Sequence, residues 1–171
     1  MDEKHLYEVD LEWTDTRRGS LNSPVLNKHI EVATPPEFPN GIEGIWSPEH
    51  LFVSAVSSCL MTTFLAISEY SKLDFLAFTV NAIGTLEKVD GKFVITEIEL
   101  KPVLDITNEA KKAKALRIIE KAEAACLISN SITSKIIFTA FKIPESKAKI
   151  NGTTNIPISE INFDIKNDPS L

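Results

Sequence analysis

Hydrophobic and polar positions alternate near the start of the chain, with Tyr7, Val9, Leu11 and Trp13 separated by Glu8, Asp10 and Glu12. A period of two puts each set on one face of a sheet, so the pattern predicts a half-buried strand. Residues 14–20 read as a turn, in which Gly19 can take a left-handed conformation. Ile30 and Val32 mark a second strand, and a proline-rich loop follows over 35–41. The pattern then changes period. Ser47 is placed to cap a helix, Pro48 suits its first position, and Glu49 puts a negative charge near the positive end of the helix dipole. His50 stands at the third position, so the reciprocal capping box is absent. The helix is predicted to run to about residue 71. Phe52, Ala55, Val56, Cys59, Leu60 and Thr63 share its apolar face.

Strand periodicity returns with Phe78, Val80, Ala82 and Leu86, and Asp90-Gly91 is a strong hairpin signal. Val94, Ile98, Leu100, Pro102, Leu104 and Ile106 share one parity, with Pro102 suggesting an edge or a bulge. Thr107 or Asn108 caps a second helix. Its predicted stripe is Ala115, Leu116, Ile119, Ala122 and Cys126, with a lysine-rich face opposite that reads as solvated. Residues 136–143 look like a last core strand. Residues 144–171 form a polar extension in which Ile161, Phe163 and Ile165 suggest a short edge strand. The order β-β-α-β-β-α-β predicts an α+β fold, one domain over 1–171 with its core in 5–143.

Composition narrows the function classes. The chain is 43% hydrophobic and 25% charged, with a net charge of −6 and a pI near 5.1. An acidic balance argues against binding nucleic acid through the whole surface. No apolar run approaches the ~18 residues of a membrane helix, and the charged first residues do not resemble a signal peptide. A cytoplasmic protein without a membrane partner is the expectation. With 6 glycines, no phosphate-binding glycine loop is present, and His5, His29 and His50 lack metal-ligand spacing, so neither a bound cofactor nor a metal is expected.

The candidate chemistry lies in Cys59 and Cys126, the only cysteines. A buried structural cysteine is the bland reading of either one. A lone pair in a reducing compartment also suits thiol redox chemistry, because the thiolate is a nucleophile and a second thiol can trap its oxidised form.

Three motifs occur in order: Ser47-Pro48-Glu49-His50-Leu51-Phe52, then Ser57-Ser58-Cys59, then Ala125-Cys126-Leu127-Ile128-Ser129-Asn130. On these the chain resembles the OsmC/Ohr family of osmotically inducible and organic-hydroperoxide-resistance proteins, over roughly residues 5–143. The resemblance implies an OsmC-like intertwined homodimer, with antiparallel sheets packed on two long central helices. It implies thiol-dependent reduction of small organic hydroperoxides or hydrogen peroxide. Cys59 would attack the peroxide and become a sulfenic acid, which Cys126 would resolve as a disulfide. An external dithiol, with lipoyl groups on proteins favoured, would reduce that disulfide. The family's arginine falls on Arg17, with Arg18 beside it, and the glutamate that holds the arginine matches Glu49. The chain departs from the family in lacking a glycine-rich stretch before Pro48-Glu49, in having Leu127 after Cys126, and in its extension beyond residue 143.

Glu49 and Cys59 are ten residues apart. On one straight helix they stand about 15 Å apart along the axis and on different faces. A dimer interface is the favoured way for both to serve one site. Phe38, Trp46, Phe52 and Phe64 could wall an apolar peroxide pocket or simply pack a core. The alternative to a peroxidase is a non-enzymatic redox-sensing or apolar-ligand-binding module on the same fold.

Overall fold

A computed structural model describes residues 4–139. The order is β1 (Asp10–Asp15), β2 (Arg18–Asn22), β3 (Ile30–Ala33), α1 (Pro48–Tyr70), β4 (Phe75–Val89), β5 (Lys92–Ile106), α2 (Lys112–Ala124) and β6 (Lys135–Phe138). The expected α+β class holds, with one more strand than the pattern predicts. The chain divides into two compact units, Met1–Ser54 and Ala55–Leu171, with the boundary inside α1. The expected strand around Ile161, Phe163 and Ile165, and the end of the last core strand, lie outside the described residues.

In the first unit β1, β2 and β3 form an antiparallel sheet in that order. The segment read as a turn supplies β2, and the reversal is confined to Thr16 and Arg17. Thr16, not Gly19, takes the positive φ there, at 38°. Gly19 pairs with Trp13, and a Cβ on it would stand 2.9 Å from the Glu12 carbonyl oxygen. Its missing side chain therefore permits a close strand approach rather than a left-handed turn. The predicted half-burial of β1 is not met among the described residues. All six residues are exposed, Leu11 at 66% and Trp13 at 72%.

In the second unit β4 and β5 pair along nearly their whole length. Asp90 and Gly91 both have positive φ, 49° and 82°, as a tight hairpin turn of matching twist requires. One face of β5 is buried through Ile98, Leu100, Pro102, Leu104 and Ile106, as the parity predicts, while Val94 is exposed. β6 pairs with β5 in parallel over Glu97–Leu100, so this sheet is not wholly antiparallel. Described β6 stops short of Pro102, which leaves the proline where its missing N–H breaks no described ladder.

α1 buries Val56, Leu60, Phe64 and Ser68, a narrow stripe at intervals of four. Phe64 stacks on Phe78 with ring centroids 4.3 Å apart and meets Phe75 edge-on at 5.3 Å. At 23 residues, α1 is also long and apolar enough to cross a membrane by length and composition, contrary to the reading of uninterrupted runs. Serines and threonines break those runs without making the helix polar on average. α2 is preceded by a 3₁₀ turn capped by Asn108, whose side chain accepts from the Ala110 N–H at 2.9 Å. Its buried positions are Ala115, Ile118, Ile119 and Ala122; Ile118 takes the place predicted for Leu116.

Candidate functional site

The first unit holds Arg17 and Glu49. Arg17 sits in the β1–β2 turn, where its carbonyl oxygen accepts from the Thr34 N–H at 3.2 Å. The residue before Thr34 anchors the start of α1, with the Ala33 N–H donating to the Trp46 carbonyl at 2.8 Å. The arginine turn and the helix start thus hang on consecutive residues at the end of β3. Ser47 caps α1 as its sequence predicts: its buried Oγ accepts from the His50 N–H at 3.3 Å and lies 2.8 Å from His50 Nδ1. The histidine ring occupies the place of the missing capping-box glutamate.

The two adjacent arginines have different surroundings. Arg18 is bound to Glu31 through Nη1 at 3.3 Å and lies 4.0 Å from Asp15 through Nε. Arg17 is exposed, and its guanidinium makes no ion pair among the described residues. Glu49 is half-buried, and its Oε2 is buried with no hydrogen-bond partner among them. Buried carboxylate oxygens are ordinarily satisfied, so this one marks a place for a donor.

The second unit holds the thiols. Cys59 lies on α1, half-buried, with its sulfur 4.0 Å from Thr63 Oγ1. Cys126 does not lie on α2 as its stripe predicts. The helix ends at Ala124, and Cys126 opens the turn beyond it, fully buried. Two hydrogen bonds shape that turn: Asn130 N–H to the Cys126 carbonyl at 3.0 Å, and Asn130 Nδ2 to the Ala124 carbonyl, also at 3.0 Å. Both cysteines are free, and their side chains come within interaction range of each other. Burial pushes the Cys126 thiol up from its ordinary pKa; Ser129, through its hydroxyl and its backbone, draws it down, and Cys59 raises it further.

No role for Ser129 follows from the sequence, although the residue lies within the last motif. Of the aromatics named for a pocket, Phe64 is fully buried in the packing described above, Phe38 and Phe52 are half-buried, and Trp46 is 53% exposed. A shallow cleft in the first unit, lined by His29, Ile30, Glu31, Gly44, Ile45 and Trp46, contains none of the predicted catalytic residues. No cluster of three or more metal-ligating side chains occurs among the described residues.

The family profile for OsmC-like proteins matches residues 41–140, more than half of the chain. The chain belongs to the OsmC-like protein family. It is 26% identical over 137 residues to the uncharacterised protein YmaD of Bacillus subtilis (strain 168), covering 77% of this chain and 89% of that one. Among solved structures, an OsmC-like protein of unknown function from Vibrio cholerae superposes with a TM-score of 0.71 at 24% identity, covering 80% of this chain and 99% of the other. An organic hydroperoxide resistance protein from Elizabethkingia anophelis, solved with thiocyanate bound, gives a TM-score of 0.63 at 25% identity, covering 80% and 95%. The OsmC-like fold and family are therefore established, and the family includes organic hydroperoxide resistance proteins.

Proposed function

We propose that this OsmC-like protein is a two-cysteine hydroperoxide reductase acting in defence against oxidative stress. The supporting observation is the meeting of the only two cysteines, one half-buried and reachable, the other fully buried beside it. The Cys59 thiolate attacks the distal peroxide oxygen. The O–O bond breaks, the substrate leaves as an alcohol or water, and Cys59 becomes a sulfenic acid. The Cys126 sulfur then attacks the Cys59 sulfur, the hydroxyl departs as water with the Cys126 proton, and a disulfide remains. An external dithiol, with a lipoyl group on a protein as the favoured class, takes the disulfide back to two thiols. The cycle needs no bound cofactor, and a reducing compartment such as the cytoplasm suits it.

Arg17 is assigned to bind the peroxide and stabilise charge as the O–O bond breaks, with Glu49 as its anchor. Among the described residues the Arg17 guanidinium makes no ion pair and Glu49 Oε2 has no hydrogen-bond partner, which favours this pairing over one with Arg18, which Glu31 already holds. A homodimer is part of the proposal. Exposed apolar side chains on β1 and β4, such as Trp13 at 72% and Ile83 at 45%, need a cover, and a second copy supplies one. It also accounts for an apolar α1 of which 22% of the most apolar window is buried within the single chain. The test is consumption of an organic hydroperoxide by the reduced protein with a dithiol donor; no consumption by folded, reduced protein would overturn the assignment.

A further inference from the structure

The last of the three sequence motifs contains a residue that the proposed reaction does not yet use. Ser129 stands three residues after Cys126, at the start of the 3₁₀ turn Ser129–Ser131. The turn folds back on the cysteine, because the Asn130 N–H is bound to the Cys126 carbonyl. Ser129 Oγ is buried and forms no hydrogen bond with the described residues. A buried hydroxyl without a partner is costly, so its place calls for an explanation.

The neighbour that supplies one is the Cys126 sulfur. Burial there disfavours the thiolate, and Ser129 opposes that effect through its hydroxyl and its backbone N–H. The other titratable group acting on Cys126 is Cys59 from α1; no charged side chain among the described residues contributes. Among the described residues, Ser129 is the group that favours negative charge on this sulfur.

We propose that Ser129 is a positioning residue for Cys126, its buried hydroxyl donating to the sulfur whenever that sulfur carries negative charge. Such charge appears twice if the peroxidase reading holds, on which this role in turnover rests. It develops as Cys126 gives up its proton to attack the Cys59 sulfenic acid, the proton leaving in water. It returns when the donor dithiol attacks Cys59 of the disulfide and Cys126 leaves as thiolate. In the neutral thiol a hydrogen bond to sulfur is weak, which accounts for the hydroxyl's lack of a well-formed bond in the reduced chain.

Two measurements separate this inference from the reading beneath it. The first uses no peroxide. In a Cys59→Ser background, one thiol remains, and its ionisation is followed by ultraviolet thiolate absorbance. Adding Ser129→Ala should move the midpoint up by roughly one pH unit, the tenfold effect of one charge-assisted hydrogen bond. Ser129→Thr, which keeps the hydroxyl, should restore it. Ser129→Gly provides a second hydroxyl deletion if the alanine variant fails to fold. An unchanged midpoint in the folded deletion variant overturns the proposal. The second measurement uses both cysteines and one equivalent of cumene hydroperoxide. Ser129→Ala should slow disulfide formation about tenfold at neutral pH and leave sulfenate formation at its original rate. Equal slowing of both steps would count against a role specific to Cys126. If the unsubstituted protein forms no sulfenate, the peroxidase reading falls, and the thiol titration alone decides the effect of Ser129.

Discussion

Cys59 on α1 and Cys126 in the turn beyond α2, 67 positions apart in the chain, bring their side chains within interaction range in the reduced protein. Cys59 is half-buried and Cys126 has no exposed surface. In the proposed peroxidase this difference would let a peroxide meet Cys59 first and leave Cys126 to react second. Cys59→Ser should abolish peroxide consumption. Cys126→Ser should allow one turnover and then stop, with a sulfenic acid at Cys59 that a sulfenate-specific reagent captures. Continued turnover by Cys59→Ser would remove it as the nucleophile.

Arg17 and Arg18 separate by their partners. Arg18 already holds Glu31, whereas Arg17 has no ion pair among the described residues. Arg17→Ala should lower kcat/KM for an organic hydroperoxide by about a hundredfold, the scale of one lost transition-state donor. Arg18→Ala should change it by less than about tenfold and cost at most about 1 kcal/mol, as expected of an exposed pair. Steady-state kinetics on both variants decide between them, and the reverse ranking would transfer the role to Arg18.

Glu49 gives a case in which stability and activity should part. Glu49→Gln removes a carboxylate whose Oε2 is buried without a hydrogen-bond partner among the described residues, at the cost of a favourable charge in the first turn of α1. These effects oppose each other, so unfolding free energy should change by no more than about 1 kcal/mol. If Glu49 anchors Arg17 as proposed, the same substitution should still reduce peroxide turnover about tenfold or more. Denaturant unfolding and kinetics on the same preparation check both halves; an unchanged rate would leave Glu49 only its place in the helix dipole.

The Cys126 thiol carries a pH signature. Its folded pKa lies above the unfolded value because burial disfavours the thiolate. Its contribution to stability is therefore complete below the unfolded thiol value of about 8.5 and is lost as pH rises through the folded one. Reduced protein should lose stability across this alkaline range more steeply than Cys126→Ala. Urea unfolding at stepped pH measures the difference, and parallel profiles would show that Cys126 ionises as readily in the fold as in the unfolded chain.

Much of this architecture is legible in the sequence where one local rule governs. The cap at Ser47, the proline after it and the Asp90-Gly91 hairpin need only nearby atoms. β2 is not legible, because Arg18-Gly19-Ser20-Leu21-Asn22 has no alternation and takes its strand form from β1 and β3 on either side. Cys126 continues the apolar period of α2, yet the helix ends at Ala124, since periodicity carries no stop signal there. The alternation in β1 is real, but its apolar face finds no cover among the described residues. The choice between Arg17 and Arg18 depends on Glu31, a partner thirteen positions from Arg18 that no motif marks.

The most direct test is the intact mass of reduced protein after a slight excess of cumene hydroperoxide. The proposed two-cysteine peroxidase should lose two hydrogens, a loss that maps on digestion to a Cys59–Cys126 disulfide and is absent in Cys59→Ser. An unchanged mass on folded, reduced protein would contradict it and leave both cysteines as core residues of a non-enzymatic OsmC-like module.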